Sequence, residues 1–180
     1  MIRATERLIL REFTEDDWPA VLAYQNDDDY LRFYPWDERT EEDVRTFIQI
    51  FIDQQYQQPR SKYQFALILK ETNQLIGNCG IRKGGPESRE ADIGYEIASV
   101  HWGNGYATEA AHEMLVFGFE ELHLSRIWAT CIVENTASAR VLEKIGMQLE
   151  VQLEEHEWMK GRMWDTFMYG IVKDEWFSNQ

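Results

Sequence analysis

The stretch Ile93-Gly94-Tyr95-Glu96-Ile97, followed closely by Trp102-Gly103-Asn104-Gly105-Tyr106-Ala107-Thr108-Glu109, decides the fold. It predicts a strand, then a glycine-bearing turn, then the start of a helix. The first helical turn leaves backbone N–H groups without internal partners, and the helix dipole adds partial positive charge there. Glycines let a ligand approach this backbone, and the small Ala107 keeps the approach open. The pattern predicts either a diphosphate cradle or a tight turn whose glycines only meet dihedral demands.

Three kinds of phosphate-binding loop compete for this segment. A Walker loop requires a Lys after its last glycine, and Thr108 does not supply one. A dinucleotide fingerprint requires three glycines; Gly103 and Gly105 supply two, although Glu134 could mimic its ribose-binding acid. That fingerprint also belongs to a parallel sheet, whereas hairpins precede this segment. The third candidate is the pyrophosphate loop of an acyl-CoA enzyme.

Patterning on both sides of the segment predicts a mixed α/β sheet. We expect strands at residues 8–13, 63–69, 75–82, 91–97, 126–133, 147–158 and 163–172, and helices from 15 to the acidic loop at 27–29 and at 40–57, 106–122 and 135–145. Short connections such as Lys160-Gly161 predict antiparallel pairs, whereas the strand–helix–strand unit around 106–122 predicts one parallel pair. With no repeat or linker, residues 1–180 are expected to form a single domain.

Composition limits the function. The 180 residues are 44% hydrophobic and 13% aromatic, which is enough to build a core and excludes disorder. Lys and Arg number 18 against 32 Asp and Glu, a formal net charge of −14. Such an anionic surface argues against a general nucleic-acid binder, which needs cations to neutralise phosphates. It favours basic peptides, polyamines or other amines as partners.

The chain also lacks the sequence signals of membrane insertion, secretion and metal binding. No apolar run approaches the roughly 20 residues of a membrane span, and residues 1–7 contain no signal-peptide core. Cys79 and Cys131 are too few for a disulfide framework or a thiolate metal site, and the four histidines show no metal-ligand spacing. We therefore expect a cytoplasmic protein with no metal and no membrane partner.

Three blocks of the chain resemble the GNAT superfamily of acetyltransferases. They are Gly94-Tyr95, residues 102–110, and Asn135-Thr136-Ala137-Ser138 continuing through Glu143-Lys144-Ile145-Gly146-Met147. The resemblance spans roughly residues 8–170 and is strongest to the ribosomal-protein N-acetyltransferases RimJ and RimL. It implies the GNAT fold, an α/β architecture with a mixed, mostly antiparallel central sheet flanked by helices. In that fold the strand at 91–97 splays from its parallel neighbour at 126–133 and leaves a slot.

The resemblance implies acetyl-CoA as cosubstrate. The family's loop is usually Arg/Gln-x-x-Gly-x-Gly/Ala; Trp102 departs from it at the first place, whereas Gly105 and Ala107 keep the backbone cradle. The implied cofactor-binding residues are Ile97, Ala98, Trp102, Gly103, Asn104, Gly105, Tyr106, Ala107, Thr108 and Asn135. The diphosphate would rest on backbone N–H groups of about residues 103–108, and the pantetheine arm would pair with Ile97 and Ala98 like an added strand.

Asn135 and a basic cluster have alternative interpretations. Asn135 would contact the pantetheine arm or a water near it, and it also has the chemistry of an N-cap for a helix that begins at Thr136. Arg82, Lys83 and Arg89 are candidates for the 3′-phosphate of CoA, although a solvated hairpin is the favoured interpretation.

The resemblance also implies the catalytic residues. Many members use a Tyr donor where this chain has Leu142; Ser138, one helical turn earlier on the same face, is the implied replacement. Glu157 matches the base proposed for the RimL-type branch. The alternatives are that both are solvated surface residues, or that a base lies on the pantetheine strand at Asp92 or Glu96. Strand alternation places Glu155 on the face of Glu157 if no bulge intervenes, and His156 on the opposite face.

The implied function is transfer of an acetyl group from acetyl-CoA to a primary amine, with the N-terminal α-amine of a ribosomal or other protein as the favoured acceptor. A small-molecule amine acetyltransferase, acting on a polyamine, amino acid or drug, is the first alternative. A non-catalytic acyl-CoA sensor is an alternative of another class. Phe33, Tyr34 and Trp36 are candidates for the acceptor pocket, with core packing the favoured interpretation. The sequence does not decide whether the protein forms a homodimer.

Overall fold

The computed structural model describes residues 1–178, which contain an eight-stranded sheet and helices on both its faces. The strands are β1 (Ile2–Ala4), β2 (Leu8–Glu12), β3 (Lys62–Leu69), β4 (Gln74–Lys83), β5 (Glu90–Ile97), β6 (Arg126–Ile132), β7 (Gln148–Met159) and β8 (Arg162–Val172). The helices are α1 (Trp18–Gln25), α2 (Asp28–Leu31), α3 (Glu41–Gln55), α4 (Tyr106–Val116), α5 (Thr136–Lys144) and α6 (Lys173–Ser178).

The sheet has the order β1-β2-β3-β4-β5-β6-β8-β7, and β5–β6 is its parallel pair. The pairing of these two strands joins only Glu90–Asp92 to Arg126–Trp128. Beyond those residues β5 continues beside β4 and β6 continues beside β8, so the two strands diverge. The predicted mixed sheet and its splayed pair are therefore confirmed.

Helices cover both faces of the sheet, and β3 shows why its sequence is apolar without alternation. Phe65, Leu67 and Leu69 pack into the core that also holds α4, α5 and α6. Ala66 and Ile68 pack into a second core with α1, α2 and α3. A strand buried on both faces needs apolar side chains at every position, which is the pattern of this run.

Several boundaries match the sequence patterns and a few elements were missed. Thr40 caps α3 by accepting the Asp43 N–H at 3.2 Å, and Gly146 follows α5 with φ +88°. The predicted helix at 106–122 instead changes to a π-helical turn over Phe117–Glu121. The missed elements β1, α2 and α6 are three to six residues long, too short for a hydrophobic period to appear.

Candidate active site

A cavity of about 210 Å³ lies in the slot where β5 and β6 diverge. Its walls come from both strands, the start of α5, the segment after α2 and the β7–β8 hairpin. The lining residues are Phe33, Tyr34, Ile93, Gly94, Tyr95, Ala129, Thr130, Cys131, Ile132, Asn135, Ser138, Leu142, Glu157 and Thr166. The fold therefore brings the predicted catalytic residues Ser138 and Glu157 to one cavity, although they are distant in sequence.

Ser138 is held in the first turn of α5. Asn135 is the N-cap of this helix, and its side-chain oxygen accepts the Ser138 N–H at 3.1 Å. The expected capping role of Asn135 is thus confirmed, and the same residue lines the cavity. Leu142, one turn further along, is buried and also lines the cavity. The Ser138 hydroxyl and the apolar Leu142 side chain therefore lie one helical turn apart on the same wall of the cavity.

Tyr95 is a polar group of the site whose role the sequence argument did not identify. Its hydroxyl oxygen lies 2.9 Å from Ser138 Oγ and donates to the Ser138 carbonyl oxygen at 3.0 Å. Burial raises the pKa of Tyr95 well above its usual range, so the hydroxyl keeps its proton at neutral pH. A signal was available in the sequence: among the same-face positions Ile93, Tyr95 and Ile97, only Tyr95 carries a polar group.

The thiol of Cys131 also faces this cavity. Cys131 belongs to β6 and is one of two buried free cysteines among the described residues. Burial raises its pKa to about 11, so the thiol is protonated at neutral pH.

A bulge in β7 changes the predicted arrangement around Glu157. Leu153 is paired with Thr166 and the next pair is Glu157 with Trp164, so β7 carries extra residues between these pairs. Glu155 has φ +46°, and its N–H donates to Asp165 Oδ1 at 2.9 Å. Because the bulge intervenes, the expected alternation of Glu155 and Glu157 fails.

The same bulge makes the expectation for His156 wrong. His156 Nδ1 lies 2.9 Å from Thr166 Oγ1, and the buried Thr166 lines the cavity beside Glu157. His156 therefore reaches the cavity face of the hairpin, not the opposite face. Its imidazole is exposed to solvent, whereas its partner hydroxyl is not.

The two alternative bases on β5 have different environments. Asp92 accepts from Arg82 Nε at 2.7 Å and sits where β5 is still paired with β6, before the slot opens. Glu96 is half-buried on the α1–α3 face, and its Oε2 accepts from Asn78 Nδ2 at 2.8 Å. Desolvation raises the pKa of Glu96. Asp92 is engaged in an ion pair, whereas Glu96 remains a candidate base.

Aromatic residues near Glu96 form one wall of the cavity. Tyr34 lines it and stacks on Tyr30, with ring centroids 4.2 Å apart, and on Trp36, at 5.1 Å. Phe33 lines the cavity as well and packs edge-on against Trp164. Trp36 packs against the core beneath. Of the three aromatics singled out in the sequence, Phe33 and Tyr34 thus reach the cavity.

The glycine turn before α4 has the geometry expected of an anion cradle. Gly103 and Gly105 have φ +77° and +82°, a conformation that side chains with a Cβ rarely adopt. Gly105 is the N-cap of α4 and offers no side-chain cap, so N–H groups of residues 106–108 keep no helical partner. The Asn104 amide donates to the carbonyls of His101 and Trp102, at 3.0 and 3.1 Å, and closes the turn. These backbone groups fit a diphosphate.

The predicted pantetheine contact at Ala98 is not supported by its hydrogen bonds. The Ala98 N–H donates to the Ile76 carbonyl at 2.8 Å, and its carbonyl accepts the His101 N–H at 2.9 Å. The Trp102 indole donates to the Ile97 carbonyl at 2.7 Å. Since backbone groups alternate in direction along a strand, those of Tyr95 and the Ile97 N–H face the slot instead.

The basic cluster considered for the 3′-phosphate lies at the wrong end of β5. Arg89 precedes the first residue of β5, whereas the cradle follows its last. Arg82 pairs with Asp92, and Lys83 donates to the Pro86 carbonyl within the hairpin. The hairpin interpretation is therefore the better one.

The sequence profile of the acetyltransferase (GNAT) domain matches residues 7–148. The chain belongs to the GNAT acetyltransferase family. Uncharacterized N-acetyltransferase YoaA of Bacillus subtilis (strain 168) is 37% identical over 173 residues, which are 96% of this chain and 97% of that protein. A GNAT-family acetyltransferase from Bacillus anthracis matches with TM-score 0.84 and 35% identity over 97% of this chain and 99% of that chain.

More distant solved structures share the GNAT fold. RimL, a ribosomal L7/L12 alpha-N-protein acetyltransferase solved with coenzyme A, has TM-score 0.84 and 20% identity, covering 97% of this chain and 99% of that chain. Spermidine N-acetyltransferase from Vibrio cholerae, solved with CoA and spermine, has TM-score 0.81 and 20% identity, covering 96% and 99%. Family membership makes this chain an acetyl-CoA-dependent GNAT acetyltransferase. The RimJ/RimL branch stays a prediction.

Residues 1–178 hold no group of three or more His, Cys, Asp or Glu side chains placed to bind a metal ion. Across the same range, the helices are all too short or too polar to cross a membrane.

Proposed function

We propose that this GNAT acetyltransferase acts on the N-terminal α-amine of a protein, with a ribosomal protein as the class that the RimJ/RimL resemblance favours. The observation that carries the proposal is the shared cavity of Ser138 and Glu157. These are the residues that the resemblance assigns to thiolate stabilisation and to the base. The RimL structure with coenzyme A has the same fold.

The donor would occupy the slot from the cradle to Ser138. Backbone N–H groups of Gly105–Thr108 would bind the diphosphate, because they are unpaired and lie at the positive end of α4. The pantetheine arm would follow the slot-facing backbone of Tyr95 and Ile97. The thioester would then lie near Ser138 Oγ, where α5 begins.

A protonated amine loses two protons in this reaction: one goes to solvent before attack, and the other leaves as the amide forms, while the thiolate takes up a proton to leave as CoA. The amine nitrogen forms the new N–C bond as the C–S bond breaks, and Glu157 takes the amine proton directly or through a water. The Ser138 hydroxyl donates a hydrogen bond to the developing thiolate, which lowers its free energy in the transition state. Tyr95 fixes the Ser138 hydroxyl from the opposite wall, at 2.9 Å.

Glu96 is the competing base. Its carboxylate adjoins Tyr34, a cavity residue, and burial raises its pKa, which makes it a stronger base than an exposed glutamate. Asp92 is the weaker candidate because Arg82 occupies its carboxylate. Replacing Glu157 and Glu96 separately by Gln tests the assignment by the rate that each variant loses.

Charge supports a cationic acceptor. The net charge is −14, and long-range attraction of a protonated amine follows from it. A polyamine is the second candidate, because a solved spermidine N-acetyltransferase with spermine shares this fold. Peptide and polyamine differ in what surrounds the amine: the peptide carries a backbone carbonyl next to it, the polyamine only methylenes.

The test is a panel of N-terminal peptides and small amines assayed with acetyl-CoA for release of free thiol. Peptides modified at their α-amine, with polyamines and amino acids turned over at least tenfold less efficiently, would support the proposal. The reverse order would replace it with the small-molecule function. Tight CoA binding without turnover on any amine would favour the acyl-CoA sensor.

Cellular location and assembly belong to the same proposal. Two buried free cysteines fit a reducing compartment, and the cytoplasm is the proposed location. Fractionation of the producing cell checks it. The homodimer is checked by light scattering of the purified protein.

A further inference from the structure

A second groove, of about 490 Å³, lies beside the cradle on the outer side of α4. Its walls come from the β1–β2 turn, α4 and the end of α5, and the lining residues are Thr5, Glu6, Arg7, Gly105, Thr108, Glu109, His112, Glu113, Lys144 and Ile145. Gly105 and Thr108 belong to the cradle as well. The groove therefore adjoins the place proposed for the diphosphate and adds Arg7 and Lys144 to it.

Arg7 contacts the cradle from the β1–β2 turn. Its Nη1 donates to the Asn104 carbonyl at 2.8 Å, and its guanidinium lies 4.7 Å from the centroid of the Tyr106 ring. A Cβ placed on Gly105 would be 3.5 Å from Arg7 Nη2. Among the described residues Nη2 has no hydrogen-bond partner, so it stays an available donor beside the glycine backbone.

Glu109 holds Arg7 in this position. Its Oε2 accepts Arg7 Nε at 2.7 Å, and its Oε1 accepts the Arg7 backbone N–H at 2.7 Å. Thr5 Oγ1 donates to the same Oε1. These donors lower the pKa of Glu109, although its burial opposes the shift, so the carboxylate stays charged at neutral pH. The guanidinium is thus fixed before any ligand arrives.

The cradle itself contains no cationic side chain. Residues 102–108 include neither Lys nor Arg. The family pattern has Arg or Gln at the place of Trp102. The indole N–H of Trp102 donates to the Ile97 carbonyl and is not available to a phosphate. A diphosphate held there would be bound by neutral donors and by the helix dipole alone, unless a charge came from outside the loop.

We propose that Arg7 is a phosphate-binding residue of this enzyme and supplies the cationic N–H donor that Trp102 does not. Nη2 donates to a phosphate oxygen of acetyl-CoA, and Nη1 positions the cradle through the Asn104 carbonyl. The proposal rests on the diphosphate site proposed above. A guanidinium held by a carboxylate and an aromatic face loses little conformational freedom on binding a phosphate.

The test compares donors with and without phosphates. In Arg7→Gln we expect the Kd of CoA, measured by calorimetry, to rise about 10- to 100-fold, the range for a hydrogen bond to a charged group. The KM of acetyl-CoA should rise similarly while kcat stays near the wild-type value. S-acetylpantetheine lacks the diphosphate, so its kcat/KM should be unchanged. Log Kd should also depend less steeply on log salt, because one charge contact is lost.

Arg60→Gln is the matched control. Arg60 also pairs with a glutamate, Glu12 at 2.7 Å, and stacks on a tyrosine, with 4.4 Å to the Tyr63 ring, but it lies away from the cradle. Its CoA affinity should be that of the wild type. Arg7→Lys keeps the positive charge but lacks the planar pair of guanidinium donors, so its Kd for CoA should lie between those of the wild type and Arg7→Gln.

Two outcomes would overturn the Arg7 contact, and a third would overturn the cradle itself. An unchanged Kd in a folded Arg7→Gln protein would remove Arg7 from the phosphate site. An equal loss with CoA and S-acetylpantetheine would show damage to the slot and also reject the phosphate contact. Wild-type protein whose affinity for CoA equals that for pantetheine would instead reject the cradle, on which the Arg7 proposal rests.

Discussion

The Tyr95 hydroxyl lies 2.9 Å from Ser138 Oγ and joins the middle of β5 to the first turn of α5. The contact crosses the slot at the point where the thioester is proposed to lie. Because Tyr95 also donates to the Ser138 carbonyl, its ring fixes both the helix end and the hydroxyl. The proposed thiolate donor is thus a serine hydroxyl that a second hydroxyl holds in place, rather than an isolated serine.

Removing the Ser138 hydroxyl should slow turnover with little effect on donor affinity. We expect Ser138→Ala to lower kcat about 10²-fold, the lower end of acid–base contributions, because the thiolate loses its donor. The Kd of CoA should change less than about threefold, since the cradle is backbone. Steady-state kinetics and calorimetry measure both. Ser125→Ala, which removes a hydroxyl bound to the Arg89 carbonyl, is the control. Near-normal kcat in Ser138→Ala would rule out this role.

Tyr95→Phe should have a smaller effect of the same kind. We expect kcat to fall about tenfold, because the Ser138 hydroxyl is still present but has lost its hydrogen bond to Tyr95. A tenfold change corresponds to the free energy of one ordinary hydrogen bond. In the double variant the losses should not multiply, because Tyr95 acts through the Ser138 hydroxyl. Fully multiplicative losses would show that Tyr95 acts independently of Ser138.

The two candidate bases predict different pH–rate profiles. If Glu157 is the base, Glu157→Gln should lower kcat about 10²-fold and abolish the acidic limb of the profile, whereas Glu96→Gln should keep both the rate and the limb. Because burial raises the pKa of Glu96, a base at that residue would move the limb to higher pH. Profiles of kcat in the three proteins decide between them, and two active variants would exclude both residues.

Glu96 should also make stability depend on pH. Its pKa is raised in the folded state above the ordinary 4.5, so the folded protein binds more protons than the unfolded chain. Stability should therefore fall as pH rises from about 4.5 through the folded-state pKa. Glu96→Gln removes this loss, and its Tm relative to wild type should rise over the same pH window. A constant Tm difference at all pH values would contradict the shift.

The cradle predicts that position 105 must be glycine for CoA to bind. Gly105→Glu should abolish CoA binding, because it adds bulk and negative charge where the diphosphate is proposed and strains a residue at φ +82°. Gly84→Glu is the matched control, since a Cβ there meets nothing within 4 Å and Gly84 lies in the β4–β5 connection. Circular dichroism checks folding and calorimetry checks binding. Unchanged affinity in folded Gly105→Glu would remove the basis for the cradle.

The net charge of −14 predicts salt-sensitive catalysis with a cationic acceptor. The kcat/KM for the acceptor should fall as salt rises, because charges are screened beyond about 8 Å at physiological ionic strength. An uncharged acceptor analogue should show no such decline. An anionic best acceptor, or efficiency independent of salt, would count against electrostatic attraction.

The sequence predicted most of the fold because local chemistry decides most of it. The apolar run of β3, the Thr40 cap and the glycine turn before α4 each act within a few residues of chain. Ser138 and Glu157 came from a resemblance, and the cavity they share depends on where β5 and β6 stop pairing. That endpoint depends on the pairing of four strands, since β5 continues beside β4 and β6 continues beside β8, and no single segment encodes it.

Other features escaped because they depend on side chains from distant segments. The β7 bulge is held by Asp165 Oδ1, which accepts the Glu155 N–H, so strand alternation alone gave the wrong face for His156. The contact of Tyr95 with Ser138 joins residues 43 apart. Arg7, which reaches the cradle from the β1–β2 turn, is 97 residues from Asn104.

The three-residue pairing between β5 and β6 has a consequence for how such an enzyme changes over time. The gap it leaves presents peptide groups to the donor, and a point mutation replaces a side chain without deleting a peptide group. The acceptor side of the cavity, by contrast, is walled by side chains such as those of Phe33 and Tyr34, and a point mutation can replace a side chain. Descendants of this chain can thus acquire new acceptors one substitution at a time while drawing on the same cellular supply of activated acetate.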